Sequence, residues 1–148
     1  VNTQTNSANY GFNVITNYSR ADYVCIDEAE LWLATRVRDG DALHLTETLR
    51  QQVGAQKFMV TRGKRGSVLA TKGGDTHISP ALAPKVIDRV GAGDAVFSVT
   101  TPCVYMGVTD EVVGFIGNCV GAMAVEIVGN REPVDPVALQ KFVTRLLK

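Results

Sequence analysis

"VIDRVGAGDAVFS", residues 86–98, sets two glycines around an alanine, follows them with an acid, and then turns apolar with helical spacing. A turn Gly91-Ala92-Gly93 that enters a helix leaves the N–H groups of Ala92, Gly93 and Asp94 without partners in a preceding turn, pointing outward at the positive end of the helix dipole. Glycine lets backbone approach a ligand closely, so a phosphoryl group fits within reach of those donors, with Asp94 beside it as base for an incoming hydroxyl. The same letters also describe a sharp corner whose first-turn acid merely suits the dipole, a contribution of about 0.3–1 kcal/mol. The motif alone weighs the two evenly. A dinucleotide fingerprint G-x-G-x-x-G requires glycine where Val96 stands, and the P-loop spacing G-x-x-x-x-G-K-[ST] does not occur, although "GKRGS" contains its letters.

Outward from this turn, strand and helix patterns alternate. "ADYVCI" is a short apolar run that leads into "DEAELWLATRV", a buried strand feeding an acid-led helix on which Trp32 falls to the core. A second helix over residues 41–53 carries Ala42, Leu45, Leu49 and Val53 on one face and stops at Gly54. "KFMVT" is another buried-strand pattern, and "GSVLATKGGDTHIS" reads as a hairpin in which Gly73 and Gly74 supply positive φ angles. "PALAPKVID" is held extended by its two prolines. After the glycine turn comes a helix from about Gly93, whose continuation Pro102 brings into question, and then a nearly all-apolar helix over residues 110–128. A closing amphipathic helix opens with Asp135 as N-cap and Pro136 at its first position, with Leu139, Phe142, Val143 and Leu146 on one stripe. The alternation predicts a largely parallel sheet covered by helices, with the hairpin as an antiparallel addition.

The totals narrow the function class. A chain of 148 residues fits one domain and buries a real core. Fifteen Lys plus Arg against fifteen Asp plus Glu give no long-range field for nucleic acid or an anionic membrane, so a small molecule or another protein is the expected partner. Cys25, Cys103 and Cys119 are odd in number, far apart and set among apolar residues, the usage of reduced cysteines in an intracellular protein. No apolar run reaches the roughly 18 residues of a membrane-spanning helix, and no basic-then-apolar signal opens the chain, so a soluble, cytoplasmic protein is expected. The chain opens at Val1 rather than at Met, as a piece of a longer protein would.

Four motifs in register resolve the ambiguity of the glycine turn. "VIDRVGAGDAVFS" resembles the second signature of the ribokinase-like (PfkB) carbohydrate kinases, roughly D-[TS]-x-G-A-G-D followed by a helix. Upstream, "VTRGKRGSVLA" is similar to the family's V-T-x-G-x-x-G strand and turn, and "IDEAEL" to its N-x-x-E-L segment. Downstream, "GNCVGAMAVEIVGNREPV" is similar to its apolar helix ending in a glycine and a nearby proline. The resemblance covers nearly the whole chain and corresponds to the C-terminal half of the family. It implies a Rossmann-like three-layer αβα fold, residues 1–148 forming one nucleotide-binding and catalytic portion of a sugar kinase. The "DRVGAGDAV" wording most resembles the branch acting on sugar phosphates such as heptose phosphates.

By that resemblance Asp94 is the base that deprotonates the sugar hydroxyl as it attacks the γ-phosphate of ATP, and Gly91, Ala92 and Gly93 form the anion hole. Thr61, Gly63 and Gly66 line the nucleotide, with Asn118 and Gly121 beside the adenine. Glu30, with Asp27, helps hold Mg2+, largely through water. Asp88 and neighbouring carbonyls contribute to a potassium (K+) site, as in several relatives. The implied partners are a sugar or sugar phosphate, the N-terminal half of the kinase and, in some members, a second copy in a homodimer.

Departures leave a second reading open, a nucleotide-binding or assembly module without chemistry. Asp27 stands where the family has asparagine, and Asp27-x-x-Glu30 is also a helix N-cap with its reciprocal acid. Arg89 replaces a small hydroxyl residue, adding a cation within reach of phosphate or of Asp27. Asn2, Gln4 and Asn6 stand where relatives carry a charged D-x-N-x-R pattern. Lys64 and Arg65 form a basic pair at a turn, read first as a solvated tip and second as a phosphate contact, and His44 and His77 are read as surface or packing residues.

Overall fold

In the computed structural model, which describes residues 1–5, 8–83 and 85–148, the β-branched and aromatic runs become four strands. These are β1 (Tyr23–Asp27), β2 (Lys57–Thr61), β3 (Ser67–Thr71) and β4 (Thr76–Ser79), in the spatial order β1-β2-β3-β4. β1 and β2 are parallel, while β2–β3 and β3–β4 are antiparallel. The antiparallel part is therefore wider than the single expected hairpin, because the tight turn at residues 62–66 returns the chain directly onto β2. Five helices cover the sheet: α1 (Glu28–Thr35), α2 (Ala42–Val53), α3 (Ala92–Tyr105), α4 (Asp110–Ala124) and α5 (Pro136–Leu146).

The period of two along each strand sorts the core into two halves. Val24, Ile26, Phe58 and Val60 face α1 and α2, where they meet Leu31, Leu45, Leu49 and Val53, with Trp32 packed at the margin. Cys25, Met59 and Leu69, directly opposite one another in register, face the other way onto Val96, Val113 and Val120 of α3 and α4. This is the three-layer αβα arrangement. α3 is seated on β1 by a chain of buried hydroxyls: Tyr23 donates to Thr100 Oγ1 at 2.9 Å, Thr100 donates to the Val96 carbonyl at 2.7 Å, and the Tyr23 and Phe97 rings stack with centroids 6.0 Å apart.

Several local expectations are met and others are corrected. α2 ends at Gly54 in the left-handed region, and Asp135 caps α5 by accepting from the N–H groups of Val137 and Ala138. α3 runs straight through Pro102 to Tyr105. Pro102 and Ser98 are both exposed, so water can serve the carbonyl that Pro102 leaves without an amide donor. α4 stops at Ala124, short of residue 128: the N–H groups of Glu126 and Ile127 turn to the i−3 carbonyls of Met123 and Ala124, and the Val125 carbonyl accepts from Ile87 and Asp88, at 2.8 and 3.0 Å. In the β3–β4 connection only Gly73 has positive φ, whereas Gly74 does not. Of the two prolines expected to extend "PALAPKVID", Pro84 lies outside the described residues, as does Asn6. Among the described residues, no helix is long and apolar enough to cross a membrane.

The first turn of α4 is anchored at the opposite end of the sheet from the glycine turn. Asp110 accepts from the Lys57 ammonium and, at 2.7 Å, from Thr71 Oγ1, with His77 Nε2 3.9 Å away. Burial pushes the Asp110 carboxyl up, but Lys57 and Thr71 outweigh it and hold it below the ordinary value of 3.8. A carboxyl depressed in the folded state contributes stability above its unfolded value and loses it as pH falls through the native one. Asp110→Asn is therefore expected to cost about 1–3 kcal/mol near neutral pH. In urea titrations its deficit against wild type should hold down to about pH 5 and shrink towards pH 2; a deficit independent of pH would mean that the ion pair carries none of it.

Candidate active site

The C-terminal ends of β1 and β2 gather the polar residues. Register places Asp27, Thr61, Ser67 and Ser79 in one row across the sheet, the last residues of the two parallel strands beside the ends of β3 and β4. In α/β sheets a ligand crevice forms at such carboxyl ends.

α3 enters above this row. Gly91 is its N-cap, with φ of 78°, and among the described residues no side chain caps the helix. The first ladder bond runs from Ala95 N–H to the Gly91 carbonyl, so the N–H groups of Gly93 and Asp94 precede it. Ala92 N–H, expected to be free as well, donates to the Arg89 carbonyl at 3.3 Å. A Cβ on Gly93 would meet nothing within 4 Å, so the outer side of the turn at Gly93 is uncrowded. The Asp94 side chain stands exposed at the same opening, and it is engaged: Oδ1 accepts from Asn2 Nδ2 at 3.0 Å and Gln4 Nε2 at 3.3 Å, and Oδ2 from Gln4 Nε2 at 3.1 Å.

Asp27 and Glu30 close a capping box. Asp27 Oδ1 accepts from Glu30 N–H at 2.8 Å, and Glu30 Oε2 accepts from Asp27 N–H at 2.9 Å, the local reading of the Asp27-x-x-Glu30 spacing. Glu30 Oε1 also accepts from Thr5 Oγ1 at 2.9 Å, and burial pushes the Glu30 carboxyl above its ordinary value. Glu28, which the sequence reading passed over, accepts from Arg62 Nε at 3.1 Å and from Arg65, and so ties the Gly63–Arg65 turn to the start of α1. The signal was available in two cations downstream of an acid-rich helix start. Arg65 is thus a structural partner, and among the described residues no ion pair joins Arg89 to Asp27.

The remaining candidate positions divide. Thr61 ends β2 beside Asp27, and Gly63, with φ of 55°, has open space on its Cβ side. Gly66 is dictated by packing: φ is 78° and a Cβ would lie 1.9 Å from the Ser79 carbonyl oxygen. Asn118 uses its amide N–H groups internally, on Ser67 Oγ and the Gly114 carbonyl at 2.9 Å each, with the Ser79 carbonyl at 3.4 Å. Gly121 faces α3, where a Cβ would touch Val96 Cγ2 at 3.4 Å. A hollow of about 180 Å³ adjoins this region, lined by His77, Ile78, Ser79, Pro80, Leu82, Glu111 and Phe115. Asp88 is held apart from Asp27 and Glu30, accepting from Val90 N–H at 3.0 Å and Gly129 N–H at 2.8 Å, and those backbone donors lower its pKa. Among the described residues, no group of three or more His, Cys, Asp or Glu is arranged to hold a metal ion.

With this geometry in place, the chain can be set beside known proteins. Residues 13–136 match the model of the pfkB family carbohydrate kinases. Bifunctional protein HldE of Koribacter versatilis is 32% identical over 146 residues, covering 88% of this chain and 30% of that protein. Arabidopsis thaliana ribokinase, solved with ribose and ATP, superposes with a TM-score of 0.70 at 20% identity, over 82% of this chain and 40% of that one. Escherichia coli phosphofructokinase-2, solved with potassium, gives 0.76 at 17% identity, over 90% and 43%. The two structures share the fold, and the chain spans under half the length of each of these proteins.

The two turn glycines should separate on substitution. Gly66→Ala is expected to cost at least ~2 kcal/mol, because positive φ and a backbone clash act together. Gly63→Ala meets only the φ strain, about 1 kcal/mol. Urea midpoints measure both, and equal midpoints would show that the β2–β3 turn relaxes away from Ser79.

Proposed function

The chain belongs to the pfkB family of carbohydrate kinases, and from that premise we propose that it carries the nucleotide-binding and catalytic portion of an ATP-dependent kinase. The acceptor is a hydroxyl of a sugar or sugar phosphate. The observation that carries the reading is the pairing of the Asp94 carboxylate with the uncapped N–H groups of Gly93 and Asp94 at one open helix start. The acceptor oxygen attacks the γ-phosphorus, Asp94 takes the hydroxyl proton, and the bond to the β,γ-bridging oxygen breaks to release ADP. The turn at Gly91–Gly93 stabilises charge on the phosphoryl oxygens as the transfer proceeds, a role for fixed donors that need no reorganisation. Ala92 contributes its place in the turn, and its N–H joins the donors once it leaves the Arg89 carbonyl.

ATP fits the surroundings. Thr61 at the end of β2 and the open side of Gly63 are assigned to the nucleotide, and the hollow beside Ser79 and Phe115 is assigned to its base. Asn118 and Gly121 serve that hollow from behind, fixing α4 against β3, β4 and α3, and Gly66 shapes its near wall. Mg2+ neutralises phosphate charge when bound. Both Glu30 oxygens already accept hydrogen bonds, so Glu30, and Asp27 beside it, suit a hydrated ion held through water rather than direct ligation. Asp88 fits the potassium role less well, since both of its oxygens accept backbone N–H bonds, and we assign it to shaping the loop before the glycine turn.

Sugar recognition is placed outside this chain, which as one domain by itself would bind nucleotide weakly and transfer phosphate poorly. The test is ADP release by the intact protein across a panel of sugars and sugar phosphates. Asp94→Asn is expected to lower kcat by about 10²–10⁴ with little change in the KM for ATP; equal turnover by wild type and variant would overturn the assignment. A second reading, a nucleotide-binding or assembly module without chemistry, draws on the engagement of Asp94 by two neutral amides. Tight binding of ATP and Mg2+ in calorimetry, with no transfer by the intact protein, would favour it.

A further inference from the structure

Residues 1–5 run along the edge of the sheet beside β1. Val1 N donates to the Tyr23 carbonyl at 2.5 Å and Cys25 N–H to the Val1 carbonyl at 3.0 Å, the staggered pattern of a parallel neighbour to β1. Alternation along such a segment sends successive side chains to opposite faces. Thr3 is buried and Thr5 reaches Glu30 on the α1 side, while Asn2 and Gln4 turn towards α3 and meet on Asp94. The segment therefore touches both carboxylates at the mouth of the site, across more than ninety residues of sequence in the case of Asn2.

We propose that Asn2 and Gln4 are positioning residues for Asp94, a pair of neutral amides that aims its carboxylate at the acceptor hydroxyl. The proposal rests on the catalytic reading of Asp94 given above. An exposed aspartate in the first turn of a helix is free to sample several side-chain rotamers, and only a fraction of them hold an oxygen near an incoming hydroxyl. Three amide contacts select one orientation. They do so without setting a formal positive charge against the carboxylate. The contacts are also uneven: Oδ1 receives two donors and Oδ2 one. An ionised carboxylate oxygen has about two acceptor sites, so Oδ1 is filled and Oδ2 keeps the vacancy. Oδ2 is thus the atom that takes the hydroxyl proton.

The experiment is a kinetic cycle on the intact protein, with the acceptor sugar that the ADP-release panel identifies. Gln4→Met keeps the approximate length and volume of the side chain and removes its amide, and with it both contacts from Gln4 Nε2 to Asp94. It should lower kcat by about tenfold or more, leave the KM for ATP within about twofold, and leave the melting temperature in place. Gln4→Glu replaces a donor with a like charge and should fall further. Added to Asp94→Asn, Gln4→Met should change nothing more, because an amide that acts only through the base has no work once the base is gone. Wild-type turnover in Gln4→Met, or an equal loss from Gln4→Met in the presence and absence of Asp94, would overturn the positioning role while leaving the kinase reading intact. Wild-type turnover in Asp94→Asn would instead remove the catalytic reading, and the positioning role with it.

Discussion

The near face of α4 is the constraint on which the rest of the arrangement hangs. A Cβ on Gly114 would lie 2.2 Å from Ser79 Oγ, and one on Gly117 would lie 2.8 Å from Met59 Cε and 3.1 Å from Thr100 Cγ2. Hydrogen at these positions lets the helix lie close to β2, β4 and α3 together, and a side chain there would have to displace Ser79, the end of Met59 and Thr100. Because Thr100 also takes the Tyr23 hydroxyl, the same close contact fixes α3 over β1. α3 in turn carries the glycine turn and Asp94. The position of an exposed carboxylate is therefore set several layers down, by the absence of side chains on a neighbouring helix.

Two kinds of force place the polar groups at the strand ends. Asp27, Glu30 and Glu28 are placed locally, by the dipole and open N–H groups at the start of α1, and then recruited into longer contacts with Thr5, Arg62 and Arg65. Among the described residues Asp94 has no such local partner, and its contacts come from the segment beside β1, ninety residues earlier in the chain. The difference matters for what each group is free to do. A carboxylate tied into a capping box loses about 1 kcal/mol of helix stability if it leaves. One held by exposed amides on a separate segment can exchange them for a ligand at less cost to the fold.

What was legible in the sequence follows the range of the interaction. The α2 stripe, its stop at Gly54 and the Asp135 cap are local signals, and they appear where the periodicity puts them. The capping box at Asp27 and Glu30 was legible for the same reason. Pro102 stays within α3 because it and Ser98 are exposed, where water can take the hydrogen bond that a proline removes. The end of α4 is not legible because apolar residues continue past the point where the N–H groups of Glu126 and Ile127 turn to i−3 carbonyls, and the segment beyond is tied to Ile87 and Asp88 from another part of the chain. Asn118 and Gly66 were assigned to a ligand on the strength of resemblance, and their conformations are already explained by Ser67, Ser79 and Gly114. The pairing of Gln4 with Asp94 lies across ninety residues and leaves no periodic trace at all.

The openness of the glycine turn sets a physical limit on what this chain does unaided. Hydrogen bonds from Gly93 and Asp94 to an anion compete with water wherever the face in front of them is bare, and the space beyond Gly93 is bare. The same two charges that attract by about 4 kcal/mol at an effective dielectric constant near 20 attract by about 1 kcal/mol in water. Stabilising a phosphoryl group in transit therefore needs cover over the turn as much as it needs the turn. An anion hole and base of the kind proposed at Gly91–Asp94 would draw their strength from whatever surface covers Gly93 and shuts out the solvent.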